Sequence, residues 1–250
     1  MNAKPFLFFC FFLFCAKSFS QGVIQTDRPD HTEGVFIVDK NTLQIESGFL
    51  KEFQKNDLPH RLISASLIKY GISKNFEIQS VVDVVSENGN LGILPLSLGF
   101  KANFWKEKGP IPEFALIARR QLKNFGTKDY RIDNNHSMIR LAFQNHLSSH
   151  VVVGYNTGIQ WNDFDKPSYI LSSSVNVNLS ANATFYAEFF NETSTTAFFN
   201  PIVDVGAMVH LHKDVIVDVA MGKYLYEAED TSFYYTLGLT TRLDFRKLSK

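Results

Sequence analysis

The sequence lacks cysteine over almost its whole length, because both cysteines of the 250-residue chain, Cys10 and Cys15, precede residue 21. The rest of the chain therefore cannot form a disulfide scaffold or a zinc site built on thiolates. Net charge is also missing, since 25 basic residues balance 25 acidic ones, and no basic field predicts a nucleic-acid partner. After residue 21 no stretch approaches the roughly 20 apolar residues that a membrane-spanning helix needs.

The first residues contain a positive charge at Lys4 and then an apolar run from Phe6 to Cys15. A run of about ten residues is too short to span a membrane and is typical of a secretory signal peptide. Ser18 and Ser20 supply the small residues that signal peptidase reads. Residues 1–20 are therefore predicted to be a cleaved signal peptide of an exported bacterial protein.

Alternation with period 2 dominates the chain that follows. In residues 183–190, alanine and phenylalanine alternate with Thr184, Tyr186 and Glu188 over most of the stretch, which gives an apolar face and a more polar one. Such alternation predicts β-strands, about 12 in all, each near the length of about 9 to 11 residues that crosses a bilayer. The predicted strands cover residues 42–54, 60–71, 75–86, 91–105, 112–122, 131–147, 149–162, 167–179, 182–192, 200–211, 213–225 and 231–245.

The connections alternate in length as well, with short ones at 72–74 and 180–181 and longer polar ones at 123–130 and 191–200. Short periplasmic turns and longer outer loops are typical of outer-membrane barrels. The last strand ends on alternating aromatic and aliphatic residues, which resembles the signal read by the barrel-assembly machinery. The sequence thus predicts an all-β fold, an antiparallel up-and-down transmembrane β-barrel of about 12 strands over residues 42–250. A soluble periplasmic β-sandwich, whose strands also alternate, remains an alternative.

Charges of both signs fall on the face that would line the lumen. We expect Arg119, Arg140 and Arg242 to pair mostly with Glu46, Glu188 and Asp218, because a barrel of this size is nearly filled by its own side chains. Balanced charge argues against a strongly ion-selective pore. The predicted lumen residues are Glu46, Glu77, Asp83, Lys101, Arg119, Arg140, Glu188, Asp204, Asp218 and Arg242.

Residues 21–41 precede the first strand and form a polar segment that we expect at the periplasmic mouth; we call this segment the latch. One hypothesis makes it a short plug, with Asp27, Arg28, Asp30 and Glu33 docking onto charges of the lumen. The other makes it a turn that seals the barrel base, with Pro29 fixing φ and the aspartates capping backbone amides. The two hypotheses are compatible.

The latch and first strand resemble a known family. The stretch Gln25–Asp30, followed by Glu33 and by Leu43–Phe49, is similar to the opening of the phenol meta-pathway (Phenol_MetA_deg) family of outer-membrane transporters. Weaker matches follow in order along the chain, at residues 70–72, 76–78, 98–101, 154–158, 186–188, 204–206, 218 and 222. The resemblance implies an outer-membrane barrel that takes part in the passage of small hydrophobic or aromatic compounds.

Signals for catalysis and cofactors are weak. His146 and Ser148 have the spacing found in outer-membrane phospholipases but fall at a predicted turn, and His210 with His212 makes too small a set for a metal site. We therefore expect no enzyme activity, no metal and no cofactor. The expected partners are outer-membrane lipid, the barrel-assembly machinery and a small hydrophobic ligand. A structural or ligand-binding barrel without conduction is the second functional hypothesis.

Overall fold

The protein is described from a computed structural model covering residues 24–29, 31–54, 61–87, 89–162, 167–194, 201–225 and 231–247. The predicted signal peptide and Asp30 of the latch lie outside these residues. The strands are β1 (Thr42–Gln54), β2 (Arg61–Ser73), β3 (Phe76–Glu87), β4 (Asn90–Ile93), β5 (Ser97–Trp105), β6 (Glu113–Gln121), β7 (His136–His146), β8 (Val151–Trp161), β9 (Ser168–Ser180), β10 (Ala183–Ser194), β11 (Ile202–His212), β12 (Val215–Tyr224) and β13 (Thr231–Asp244).

The sheet closes on itself. Neighbouring strands along the chain pair antiparallel, except β4 with β5, and β1 also pairs with β13, with Thr42 opposite Asp244. Strand β3 pairs with β2 on one side and with both β4 and β5 on the other. Because β4 and β5 share one position in the wall, the barrel has 12 wall strands. This confirms the predicted transmembrane β-barrel, and the sandwich alternative is wrong because the wall is a single closed sheet.

Two predicted strands differ from the observed ones. The strand predicted over 91–105 is broken at residues 94–96, where Pro95 has no N–H to give to the ladder. The strand predicted to start at 131 begins at His136, because Lys128–Tyr130 form a 3-10 helix and the chain bends after it. Both changes lie in the connections at one end of the barrel.

Alternation along most of the strands sends apolar side chains outward and polar ones inward, with inward exceptions such as Val85, Ile117 and Ala142. Val219 and Leu237 point outward and are 51% and 55% exposed, whereas their chain neighbours Asp218 and Thr236 point inward and are 1% and 2% exposed. An apolar outer surface with a polar interior is the arrangement that a bilayer requires of a barrel. No helix among the described residues is long and apolar enough to cross a membrane.

The two ends of the barrel differ. At the end where β1 begins and β13 ends, residues 181–182 join β9 to β10 and residues 213–214 join β11 to β12. We call it the turn end. At the opposite, loop end, residues 122–135 join β6 to β7.

Candidate functional site

The latch lies inside the barrel and not at its mouth. Ile24, Val35 and Val38 of the latch are 1%, 2% and 4% exposed. The Ile24 carbonyl contacts Nε2 of His210 near the turn end at 3.0 Å. The segment then runs toward the loop end and back, and Lys40 bridges to Gly71 of β2, near the turn end again.

Asp27 anchors one side of this loop through two buried lysines. Its Oδ2 lies 2.9 Å from Nζ of Lys69 and 2.8 Å from Nζ of Lys101. Lys69 also pairs with Glu46, whose Oε2 accepts a hydrogen bond from the Asp27 N–H at 2.9 Å. The ring of Phe36 covers both ammonium groups, with its centroid 4.3 Å from Lys69 Nζ and 4.9 Å from Lys101 Nζ. Asp27 thus holds the latch against β1, β2 and β5.

The charge state of Asp27 follows from this setting. Burial raises the pKa of Asp27, but the charges of Lys101 and Lys69 outweigh it and hold the pKa well below its usual value of 3.8. The group is therefore a carboxylate at neutral and at mildly acidic pH.

Glu33 anchors the opposite side of the loop. Arg119 donates to both of its carboxylate oxygens, at 2.8 and 2.5 Å, and Arg140 lies 3.2 Å from Oε1. Asn156 of β8 accepts from the Glu33 N–H and donates to its carbonyl. Burial raises the pKa of Glu33, whereas Arg119 and Arg140 lower it, and the net shift is downward.

These contacts correct the expected partners of the lumen arginines. Arg119 and Arg140 pair with Glu33 of the latch, and among the residues that the structure describes neither forms a salt bridge with an acid of the wall. Arg242 pairs with Asp214 at the turn end, 2.8 Å away. Most ion pairs inside the lumen thus join a latch residue to a wall residue. The prediction paired wall residues only with one another and therefore missed them.

Arg28 docks in a recess of the wall that two facing glycines leave open. Its guanidinium donates to Oγ1 of Thr236 at 2.7 Å and lies 3.3 Å from Oδ1 of Asp218. Gly48 and Gly238 face each other across the β1–β13 pair, and a Cβ at either position would collide with the guanidinium. The two glycines therefore make the recess that holds Arg28.

The tip of the latch reaches strands β9, β10 and β13. The His31 N–H donates to Oε2 of Glu188 at 2.7 Å, and the His31 ring lies 3.1 Å from the hydroxyl of Tyr234. Thr32 donates to Oε1 of Glu188 and lies 3.0 Å from the hydroxyl of Ser172.

Together these contacts join the latch to every wall strand of the barrel. Each wall strand supplies at least one side chain that hydrogen-bonds to residues between Ile24 and Val38. One such residue per strand, in order around the barrel, gives Glu46, Lys69, Glu77, Lys101, Arg119, Arg140, Asn156, Ser172, Glu188, His210, Asp218 and Thr236. The latch therefore spans the lumen from wall to wall.

The structure places the ten predicted lumen residues on the inward face. Glu77 accepts from the Val38 N–H at 2.7 Å, Asp204 accepts from the Tyr234 hydroxyl at 2.6 Å, and Asp83 lies half-buried on the same face of β3 as Glu77. Sequence reasoning missed Lys69, which is fully buried.

The two residues with phospholipase spacing lie at the turn end. Nδ1 of His146 is 2.6 Å from Oε2 of Glu107, and the Ser148 hydroxyl accepts from the N–H groups of His150 and Val151. Ser148 therefore stabilises the turn between β7 and β8, whereas His146 joins the end of β7 to the connection between β5 and β6.

A cavity of about 810 Å³ lies between the latch and strands β7 to β12, near the turn end. Its lining, among the described residues, contains no acid, lysine or arginine. The lining combines amide, hydroxyl and imidazole groups with apolar side chains and includes Gln144, Ser174, Asn176, Asn178, Thr184, His146, His150, His210, Ile24, Phe36, Met208 and Ile216. Such a cavity is large enough for a small organic molecule.

Comparisons with known proteins agree with this architecture. The family described as "Putative MetA-pathway of phenol degradation" matches residues 26–243. An outer membrane channel from Pseudomonas putida F1 is similar in structure, with a TM-score of 0.68 at 10% identity, covering 84% of this chain and 98% of that one. The KdgM porin in complex with oligogalacturonate has a TM-score of 0.59 at 13% identity, covering 78% and 98% of the two chains. The NanC porin has a TM-score of 0.57 at 8% identity, covering 80% and 100%. No curated protein matches the sequence.

Proposed function

We propose, since the chain belongs to the Phenol_MetA_deg family, that it is an outer-membrane channel for small molecules whose lumen is closed at rest by the latch. The observation that carries the proposal is the set of hydrogen bonds from residues 24–38 to every wall strand. A segment tied to the whole circumference closes the passage, and passage then requires that the segment move.

The latch is built to be released and not to be permanent. It is a loop without strand structure, and its docking contacts are largely side-chain ion pairs and hydrogen bonds. The wall closes through the β1–β13 ladder without any help from it. A displaced latch would therefore leave the barrel intact, which is what a gate requires.

The absence of acids, lysines and arginines from the described lining of the cavity supports small uncharged compounds, aromatic or hydrophobic, as the cargo. Apolar side chains such as Phe36 and Met208 would cover a ring, while the amides of Asn176 and Gln144 would bond to a hydroxyl group. An anion would meet no lysine or arginine in the described lining. A phenol-like molecule fits this chemistry and the pathway named in the family description.

The location follows the same proposal. Residues 1–20 would direct export and be removed, the barrel-assembly machinery would insert the barrel, and lipid would cover its apolar face. The turn end, with the latch entrance and the cavity, would face the periplasm. We propose no catalytic activity.

Uptake into cells tests the proposal. Cells that produce the full-length protein should take up radiolabelled phenol severalfold faster than cells with an empty vector. We expect only a moderate increase in the uptake rate because the pore is narrow and gated. Benzoate, a charged ring of similar size, serves as the matched solute. Its uptake rate should increase much less than that of phenol. If phenol uptake is unchanged while the protein is folded in the outer membrane, the chain is a structural or ligand-binding barrel.

A further inference from the structure

Three potential metal ligands meet at the tip of the latch. His31, Glu188 of β10 and Asp204 of β11 each offer one ligand atom, and these atoms lie within 4.8 Å of one another. Glu188 and Asp204 are direct cross-strand partners, so the sheet itself holds their carboxylates side by side. The third ligand comes from the latch and not from the wall.

The two carboxylates lack the cations that other lumen acids have. Glu46 pairs with Lys69 and Asp218 with Arg28, but no salt bridge among the described residues includes Glu188 or Asp204. Glu188 and Asp204 are only 5% and 4% exposed. Two adjacent carboxylates in such a setting repel each other unless a cation or a shared proton lies between them.

One oxygen of this pair lacks a well-placed donor. Oδ1 of Asp204 is buried and forms no hydrogen bond of ordinary geometry, although the Tyr186 hydroxyl and the Glu188 carboxyl group lie near the Asp204 carboxylate and Oδ2 accepts from the Tyr234 hydroxyl at 2.6 Å. A buried carboxylate oxygen without a donor points to a missing ligand, because such oxygens are almost always satisfied in folded proteins. Arg140, whose charge interacts with Glu188, makes its contacts with Glu33 and with the His31 carbonyl.

The chemistry of the three groups favours zinc. One imidazole nitrogen and two carboxylate oxygens suit Zn²⁺, whereas Ca²⁺ and Mg²⁺ prefer sites made of oxygen alone. Tetrahedral bonds of about 2.1 Å place ligand atoms roughly 3.4 Å apart, so small side-chain rotations would complete the site. Tyr234, whose hydroxyl lies near both His31 and Asp204, or a water could provide the fourth ligand.

We propose that His31, Glu188 and Asp204 bind one Zn²⁺ ion, which ties the tip of the latch to the barrel wall. This departs from the expectation, drawn from sequence, that the chain binds no metal. Zinc binding goes beyond the proposed transport function. The two proposals are independent, so evidence against one does not contradict the other.

Calorimetric titration of the metal-stripped, full-length protein in detergent with ZnCl₂ tests this site. We expect one Zn²⁺ per chain, and an affinity lowered at least about tenfold by His31→Gln and by Asp204→Asn. His212→Gln is the control, because His212 is exposed at the turn end, and it should bind like the unmodified protein. Heat-modifiable migration in gels verifies that each variant is a folded barrel.

Three results would overturn the proposal. Absence of zinc binding by the folded protein would show that a shared proton satisfies the carboxylate pair. Equal loss of binding in His212→Gln would place the metal at the turn end. Displacement of zinc by equimolar Ca²⁺ or Mg²⁺ would be inconsistent with a nitrogen ligand.

Discussion

Deletion of residues 24–38 is expected to raise single-channel conductance in planar bilayers at least about tenfold over the full-length protein. The deleted segment contacts every wall strand, so its loss opens the whole cross-section of the lumen to water. The pairing of β1 with β13 that closes the barrel does not involve these residues. Lys101 and Arg119, which would lose their latch carboxylates, would then be hydrated.

The control for this deletion is Val219→Leu, a change on the outward face that should leave the conductance unchanged. Heat-modifiable migration distinguishes an open barrel from an unfolded chain. A folded deletion variant with the low conductance of the full-length protein would mean that other side chains close the lumen.

The second large effect is expected from Asp27→Ala. This change leaves Lys101 with the Gly34 carbonyl as its remaining close partner, at 2.9 Å, and takes one of two carboxylates from Lys69. Removing one member of a buried ion pair costs about 3 to 5 kcal/mol. We expect this cost to destabilise the docked state of the latch. The ratio of released to docked latch should then rise by more than about a hundredfold. The open probability of single channels measures the shift.

Arg246→Ala is the matched control for Asp27→Ala. Arg246, which follows β13 in a 3-10 helix, also forms an ion pair with the latch, at Asp39, but both side chains are at least half exposed. Solvent screens such a pair, so the open probability should hardly change. Equal effects of the two changes would contradict the assignment of Asp27 as the main anchor.

The wall could be predicted from the sequence because one physical rule governs all of it. Lipid outside and water or polar groups inside force a period of two, and residues such as Asp218 and Val219 obey it directly. The break at Pro95 was not predicted, because an alternation pattern does not show that one residue lacks an N–H donor. Lys69 was missed because its inward neighbours on β2, such as Leu67, are apolar and blur the contrast between the faces.

The position of the latch could not be predicted in the same way. Its sequence suggested docking charges, but no periodicity indicates how deep a non-strand segment enters a lumen. The partners of Asp27 come from β2 and β5 and those of Glu33 from β6 and β7, all far in sequence from the latch. The recess for Arg28 depends on the register that places Gly48 opposite Gly238, which alternation alone does not fix.

The most direct test of a moving latch is phenol uptake by the double variant Thr32→Cys, Ser172→Cys. The hydroxyls of these residues lie 3.0 Å apart, and the chain has no other cysteine after residue 20, so oxidation would tie the latch tip to β9. Uptake should fall to the empty-vector rate when the pair is oxidised and return when it is reduced. Equal uptake in both redox states would contradict a latch that must move for passage.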